Sequence, residues 1–95
     1  MNSNQNFGYV ILFYDVGEKR VGKVFKICKQ YLKHYQKSVF RGHLTTGNYL
    51  ELKSKLKNII NTEHDFVTFI QTMSESAFFE ESIGNTGENP ESIII

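Results

Sequence analysis

Hydrophobic side chains fall into three patterns along this chain, and each pattern predicts a different element. Residues 8–16, Gly-Tyr-Val-Ile-Leu-Phe-Tyr-Asp-Val, are almost continuously apolar, β-branched or aromatic, with polar sequence on both sides. A run of that kind predicts a strand buried on both faces at the centre of a sheet. Gly17 and Glu18 make a turn. From Lys19 to Lys33 the spacing changes: Val21, Val24, Phe25, Cys28, Leu32 and Tyr35 recur at the helical period, and Lys19, Lys23, Lys26, Lys29 and Lys33 take the opposite side. This predicts an amphipathic helix with an apolar face for a sheet and a cationic face for solvent or a partner.

Residues 36–44 alternate, with Ser38, Phe40, Gly42 and Leu44 set against Lys37, Val39, Arg41 and His43. The segment is extended, either as one strand or as a tight pair of short strands. Thr45 or Thr46 is a natural N-cap for a second helix, with Asn48 and Glu51 as a competing capping box. Its apolar stripe is Tyr49, Leu52, Leu56, Ile59 and Ile60, and Asn61 and Thr62 end it. Residues 65–72 form another strand, with Phe66, Thr68 and Ile70 on one face and Val67 and Phe69 on the other. The order of elements predicts an α+β, ferredoxin-like sandwich, an antiparallel sheet with two helices on one face.

The chain divides into an N-terminal extension (1–7), the ferredoxin-like domain (8–74) and a tail (75–95). That tail holds Phe78, Phe79 and Ile83, a turn-rich segment around Pro90, and a terminal Ile93-Ile94-Ile95. Three isoleucines at a chain end are a liability unless they pair with a sheet edge, of this subunit or of a second one. The tail is therefore expected to be a dimerisation device.

Size narrows the function. A 95-residue chain buries only about 60–65% of its unfolded surface, so a site shared between subunits is more plausible than a deep private pocket. The N-terminus lacks a signal-peptide pattern, no apolar run reaches the ~20 residues of a membrane span, and Cys28 has no disulfide partner, which fits a reducing cytoplasm. Charge sharpens the picture further. All eleven Lys and Arg lie between Lys19 and Lys57 against three acids in that half, a net of +8, while residues from Asn58 onward carry seven acids and no base, a net of −7. Such a division suggests a face for a polyanion and an acidic segment turned elsewhere, or else two solvated surfaces that partly neutralise each other.

Candidate chemistry begins at Asp15, where the apolar run ends on a carboxylate. An Asp there can simply cap the next helix. It can also be a hard oxygen ligand for Mg²⁺ or Mn²⁺, which takes one or two carboxylates plus waters and phosphate oxygens. Two copies facing each other across a two-fold axis would make a fuller site than one. The lysines of the first helix, with Arg20 and Arg41, could follow a nucleic-acid backbone, which gives affinity without sequence information. His34, His43 and His64 lack metal-ligand spacing and read as surface histidines, and Cys28 reads as core. Phe66 and Phe69 read as packing residues, and no phosphate-cradling glycine loop is present.

Assembled, these pieces resemble a known family. Tyr14-Asp15-Val16, Arg20, the Lys-Val-Phe-Lys-Ile of 23–27, the Gln-Lys-Ser-Val-Phe-Arg-Gly-His-Leu-Thr of 36–45, the strand at 65–72 and Ile83-Gly84 occur in the order and spacing of the small CRISPR-associated adaptation proteins, the Cas-two family of endonucleases. Two features depart from it: only Glu18 remains of the acids many relatives carry after Tyr-Asp, and position 21, often basic, is Val21.

The resemblance implies a cytoplasmic homodimer in which each C-terminal strand, here with Ile83, Ile93, Ile94 and Ile95, extends the partner's sheet. It implies Mg²⁺- or Mn²⁺-dependent cleavage of single-stranded RNA or duplex DNA, and a scaffold role between two CRISPR integrase dimers during spacer acquisition. Asp15 matches the metal-binding aspartate, and Arg20, Ser38 and Phe40 match positions implicated in the nuclease site. Lys19, Arg20, Lys23, Lys26, Lys29 and Arg41 are the nucleic-acid candidates, and the acidic tail is expected to face the integrase. Two alternatives stand beside this reading: a non-catalytic scaffold for DNA and integrase, and a toxin-type ribonuclease of the virulence-associated D family, which shares the fold.

Overall fold

A computed structural model describes residues 6–72 together with residues 81 and 83. The described chain runs β1 (Asn6–Asp15), α1 (Glu18–Lys29), β2 (Lys33–Gln36), β3 (Val39–Thr45), α2 (Thr46–Ile59) and β4 (Phe66–Thr72). The strands form one antiparallel sheet in the order β2-β3-β1-β4, the ferredoxin-like topology that the element order predicts. No described helix is long and apolar enough to cross a membrane.

β1 and β3 are the two central strands, and β1 pairs with β3 and β4. Alternation sends Val10, Leu12 and Tyr14 to the helix side, where they are buried with Val24, Cys28, Leu32, Phe40, Leu44, Leu52 and Leu56. The intervening Ile11, Phe13 and Asp15 take the opposite face. Cross-strand register places Arg41 and Val39 of β3 and Ile70, Thr68 and Phe66 of β4 on that same face. Neither described helix covers it, and Phe66 and Ile70 are 47% and 43% exposed.

The strand starts two residues before the expected boundary. Phe7 stacks on Tyr49 with ring centroids 4.0 Å apart, so it belongs to the domain and not to an extension. Gly8 is required there twice over. Its φ is +126°, and a Cβ would come within 2.5 Å of the Thr72 carbonyl oxygen across the sheet.

The first helix is shorter than its apolar stripe suggests. It ends at Lys29, and the amides of Tyr31 and Leu32 both donate to the Cys28 carbonyl as the chain turns. Residues 33–36 are instead the edge strand β2, so the extended segment is a tight pair joined at Lys37 and Ser38, with Lys37 at φ +40°. Leu32 and Tyr35 keep the helical spacing by coincidence. Leu32 is buried in the connection, and Tyr35 lies in β2 beneath the Arg41 guanidinium, 4.0 Å from its ring. Val21 is 40% exposed and contributes little to the core.

Thr45 caps α2, its hydroxyl accepting from the Asn48 amide at 3.1 Å, as one of the two expected caps requires. The two helices are clasped by Tyr31 donating to Glu51 at 2.5 Å and Lys55 donating to Gln30 at 3.2 Å. Ile93, Ile94 and Ile95 of the expected dimer tail lie outside the described residues. Ile83 is 82% exposed.

Candidate functional site

Asp15 is the last residue of β1, exposed, and opposite Phe66 of β4. Strand alternation sets its carboxylate at one end of the open sheet face, beyond the Phe13–Phe66 pair, whose rings meet edge-to-face at 6.3 Å. On the other side of Asp15 the chain leaves the sheet through Val16 and Gly17 into α1.

That exit is held by Asp65, whose side chain is 1% exposed. One carboxylate oxygen accepts from the Gly17 amide at 2.9 Å and from a terminal Arg20 nitrogen at 3.0 Å. The other accepts from Arg20 Nε at 2.5 Å and from the Asn61 amide at 2.9 Å. The Arg20 fork, helped by the two backbone amides, holds the Asp65 carboxyl well below the usual carboxylate range against the opposing effect of burial. α1 thus has no side-chain N-cap of its own; its capping residue Gly17 is fastened to a turn 48 residues later.

Ser38 sits in the β2–β3 turn, and its carbonyl accepts from the Tyr14 amide at 3.2 Å. The Tyr14 phenol's pKa is pushed up by burial and by the neighbouring Cys28, against the opposing effect of Ser38. Ser38 therefore lies one residue from Asp15 across the strand end. Phe40 corrects the expectation for it. It is 0% exposed, with Tyr14, Phe25 and His34 around its ring, so it supports the site from within the core and offers no surface to a substrate.

The proposed nucleic-acid residues do not form one surface. Lys19, Lys23, Lys26 and Lys29 are exposed along α1, on the helix layer. Arg41 belongs to the open face of the sheet, on the far side of that layer, and Arg20 is engaged by Asp65. On α2, Lys53 and Lys57 with Leu50, Ser54 and Asn58 line a shallow groove that adds cationic surface to the helix layer.

His34 is not a chance surface residue. Its ring packs on Phe25 and Phe40, and Nε2 lies 2.9 Å from the Lys37 carbonyl. Cys28 is buried core, its thiol pushed up to about 12 by burial.

Asp65 is the residue that sequence reasoning missed, having been counted with the acidic C-terminal half. The available signal was Arg20, a guanidinium beside a turn with no acid in the next helical turn to receive it.

Among the described residues no three His, Cys, Asp or Glu side chains gather as a metal site. One exposed carboxylate fits Mg²⁺ as an open half-site, to be completed by waters, phosphate oxygens or a second chain.

The family model for CRISPR associated protein Cas2 matches residues 8–79. The CRISPR-associated endoribonuclease Cas2 of Thermotoga maritima is 43% identical over 76 residues, covering 80% of this chain and 87% of its own. The Methanosarcina acetivorans protein of the same name is 35% identical over 86 residues, 90% of this chain and 99% of its own. A Cas2 crystal structure superposes with a TM-score of 0.80 at 37% identity, over 90% of this chain and 97% of that one. Cas2 of Streptococcus pyogenes gives 0.63 at 30% identity, over 67% and 84%. With the sheet order, the strand-end aspartate and this likeness in agreement, the chain belongs to the Cas2 family of CRISPR associated proteins.

Proposed function

We propose that this protein is a homodimeric, metal-dependent endonuclease of a CRISPR system that cleaves single-stranded RNA, and that it also serves as a duplex-DNA scaffold for integrase dimers in spacer acquisition. The observation that carries the nuclease reading is the position of Asp15, an exposed carboxylate at the end of an apolar sheet face that the described helices leave open. Packing two copies by that face would bury Phe13, Phe66 and Ile70 and bring two Asp15 carboxylates to a common cleft. The names of the relatives, which are endoribonucleases, support RNA as substrate.

Asp15 from each subunit would hold Mg²⁺ or Mn²⁺, which when bound activates a water and stabilises charge on the scissile phosphate. Tyr14 and Ser38 brace the strand end from which Asp15 projects, and Phe40 stiffens it from below. The α1 lysines neutralise the backbone of a bound nucleic acid.

A second reading, the non-catalytic scaffold, is favoured by one observation: the α1 lysines lie on the helix layer and Asp15 on the opposite side of the sheet. A duplex on the lysines therefore need not meet Asp15.

End-labelled RNA and duplex DNA cleavage across a Mg²⁺ and Mn²⁺ titration separates the two readings, with wild type beside Asp15→Ala and both confirmed as folded dimers. Metal-dependent cutting that falls at least 100-fold in the variant is expected. Equal or absent cutting in both proteins would leave the scaffold.

A further inference from the structure

We propose that Asp65 and Arg20 are positioning residues for the Asp15 site, and that Arg20 acts through Asp65 instead of contacting substrate phosphate. This rests on the reading of Asp15 as the metal-holding carboxylate.

The geometry is a lever with Asp65 at its pivot. Its carboxylate receives four hydrogen bonds, from Gly17, Asn61 and twice from Arg20, so both oxygens are saturated. Its own amide donates to the Asn61 carbonyl at 2.7 Å, so the α2–β4 turn that carries it is closed on itself. One neighbour in sequence, Phe66, is the cross-strand partner of Asp15. One hydrogen-bond partner, Gly17, lies two residues after Asp15. Asp15 is therefore bracketed by two attachments, a β-ladder before it and the Asp65 carboxylate after it, and the direction of its side chain follows from both.

Arg20 serves this arrangement by its shape. A guanidinium presents parallel donors that match both oxygens of a carboxylate, which a lysine cannot do. The Arg20 side chain is 29% exposed, so the pair is largely shielded from water. Gly17 leaves room for it: a Cβ at that position would collide with the guanidinium nitrogen bonded to Asp65. Displacements of about 1 Å in a metal-phosphate site can cost on the order of 100-fold in rate, so a loosened Gly17 should be visible in function.

The test uses the full-length dimer and the variants Asp65→Asn, Arg20→Lys, Arg20→Ala and Gly17→Ala, each checked for melting and dimerisation. Three quantities are measured: Mn²⁺ affinity by electron paramagnetic resonance, hydrogen exchange of the Gly17 amide, and the salt dependence of duplex binding. In Asp65→Asn and Arg20→Lys, Gly17 exchange should rise at least tenfold while the β1 amides stay protected. Mn²⁺ affinity should fall about three- to tenfold, and the salt slope should stay that of wild type in Arg20→Ala.

A slope smaller by about 0.9 in Arg20→Ala would show a direct phosphate contact and overturn the proposal. So would Gly17 exchange or Mn²⁺ affinity unchanged in Asp65→Asn. If Asp65→Asn fails to fold, Arg20→Lys carries the same readouts, and Gly17→Ala should lower Mn²⁺ affinity to the same extent. Wild-type protein that binds Mn²⁺ at Asp15 without cutting nucleic acid would end the nuclease reading and leave the positioning result standing.

Discussion

The two faces of the sheet are made by the same strands and do opposite work. On the helix side, Val10, Leu12, Phe40 and Leu44 are at most 3% exposed, each closed over by α1 or α2. On the other side Phe13 and Phe66 pair with each other and Phe66 and Ile70 stay near half exposed, next to the carboxylate of Asp15. Stability is concentrated on one face, and the surface available to a second chain is on the other. From Val10 to Asp15, which side of the sheet a β1 residue takes is set by its parity along the strand and not by its chemistry.

The widest separation between the faces should come from neighbouring residues. Leu12→Ala should lose about 2–5 kcal/mol of folding stability in urea titrations, because it empties a packed site. Ile11→Ala should change monomer stability by less than about 1 kcal/mol and appear instead, in the dimer proposed above, as dissociation at least tenfold more ready by analytical ultracentrifugation. Equal folding costs for the two would erase the distinction.

A smaller effect probes the seam where strand end, loop and turn meet. The folded Asp65 carboxyl is held below its ordinary value of 3.8, so its contribution is fully present above that pH and fades as pH falls toward the folded value. Melting temperature from pH 7 to 2 should therefore hold through the neutral range and begin to drop near pH 4. In Asp65→Asn the neutral plateau should sit lower by roughly 10 °C, with a shallower acid slope. Parallel acid slopes in the two proteins would assign the acid loss to other carboxylates.

The gentlest test concerns the cationic helix. Lys23→Ala with Lys26→Ala should lower the salt slope of duplex binding by about 1.8, two phosphates at about 0.9 each, and leave the melting temperature within a few degrees. Arg41→Ala, on the opposite face, should leave the slope unchanged if DNA lies on the helix layer.

Much of this was legible in the sequence for reasons of period. β1 announces itself by an unbroken apolar run, α1 by Val24 and Cys28 a turn apart, and α2 by Thr45 followed by Leu52 and Leu56. β2 was not legible, because its four residues follow a helical stripe and no glycine or proline marks the stop at Lys29. The stop comes from β3, which offers Lys33 and His34 a ladder partner at Arg41 and Phe40. Of the candidate site, Asp15 could be read because it ends the run that predicts its strand. Asp65 could be read only indirectly, through the unpaired-looking Arg20, since its partners lie 45 and 48 residues away. The split between Arg41 and the α1 lysines was hidden for a related reason: which side of a sheet a residue takes depends on register with other strands.

The first strand made is a central one, flanked on both sides, and this has a price during synthesis. Both of its pairing partners are downstream, β3 ending at Thr45 and β4 at Thr72. At about 5–20 residues per second, residues 9–14 wait roughly 3–12 s before the last partner has even been translated. Until β3 arrives the most apolar segment of the chain has two open edges, and until β4 follows it still has one, the form most prone to join another nascent chain. Messages that stall ribosomes between β3 and β4, or crowd them into polysomes, should therefore lower the soluble yield of this protein more than equal delays placed before α1.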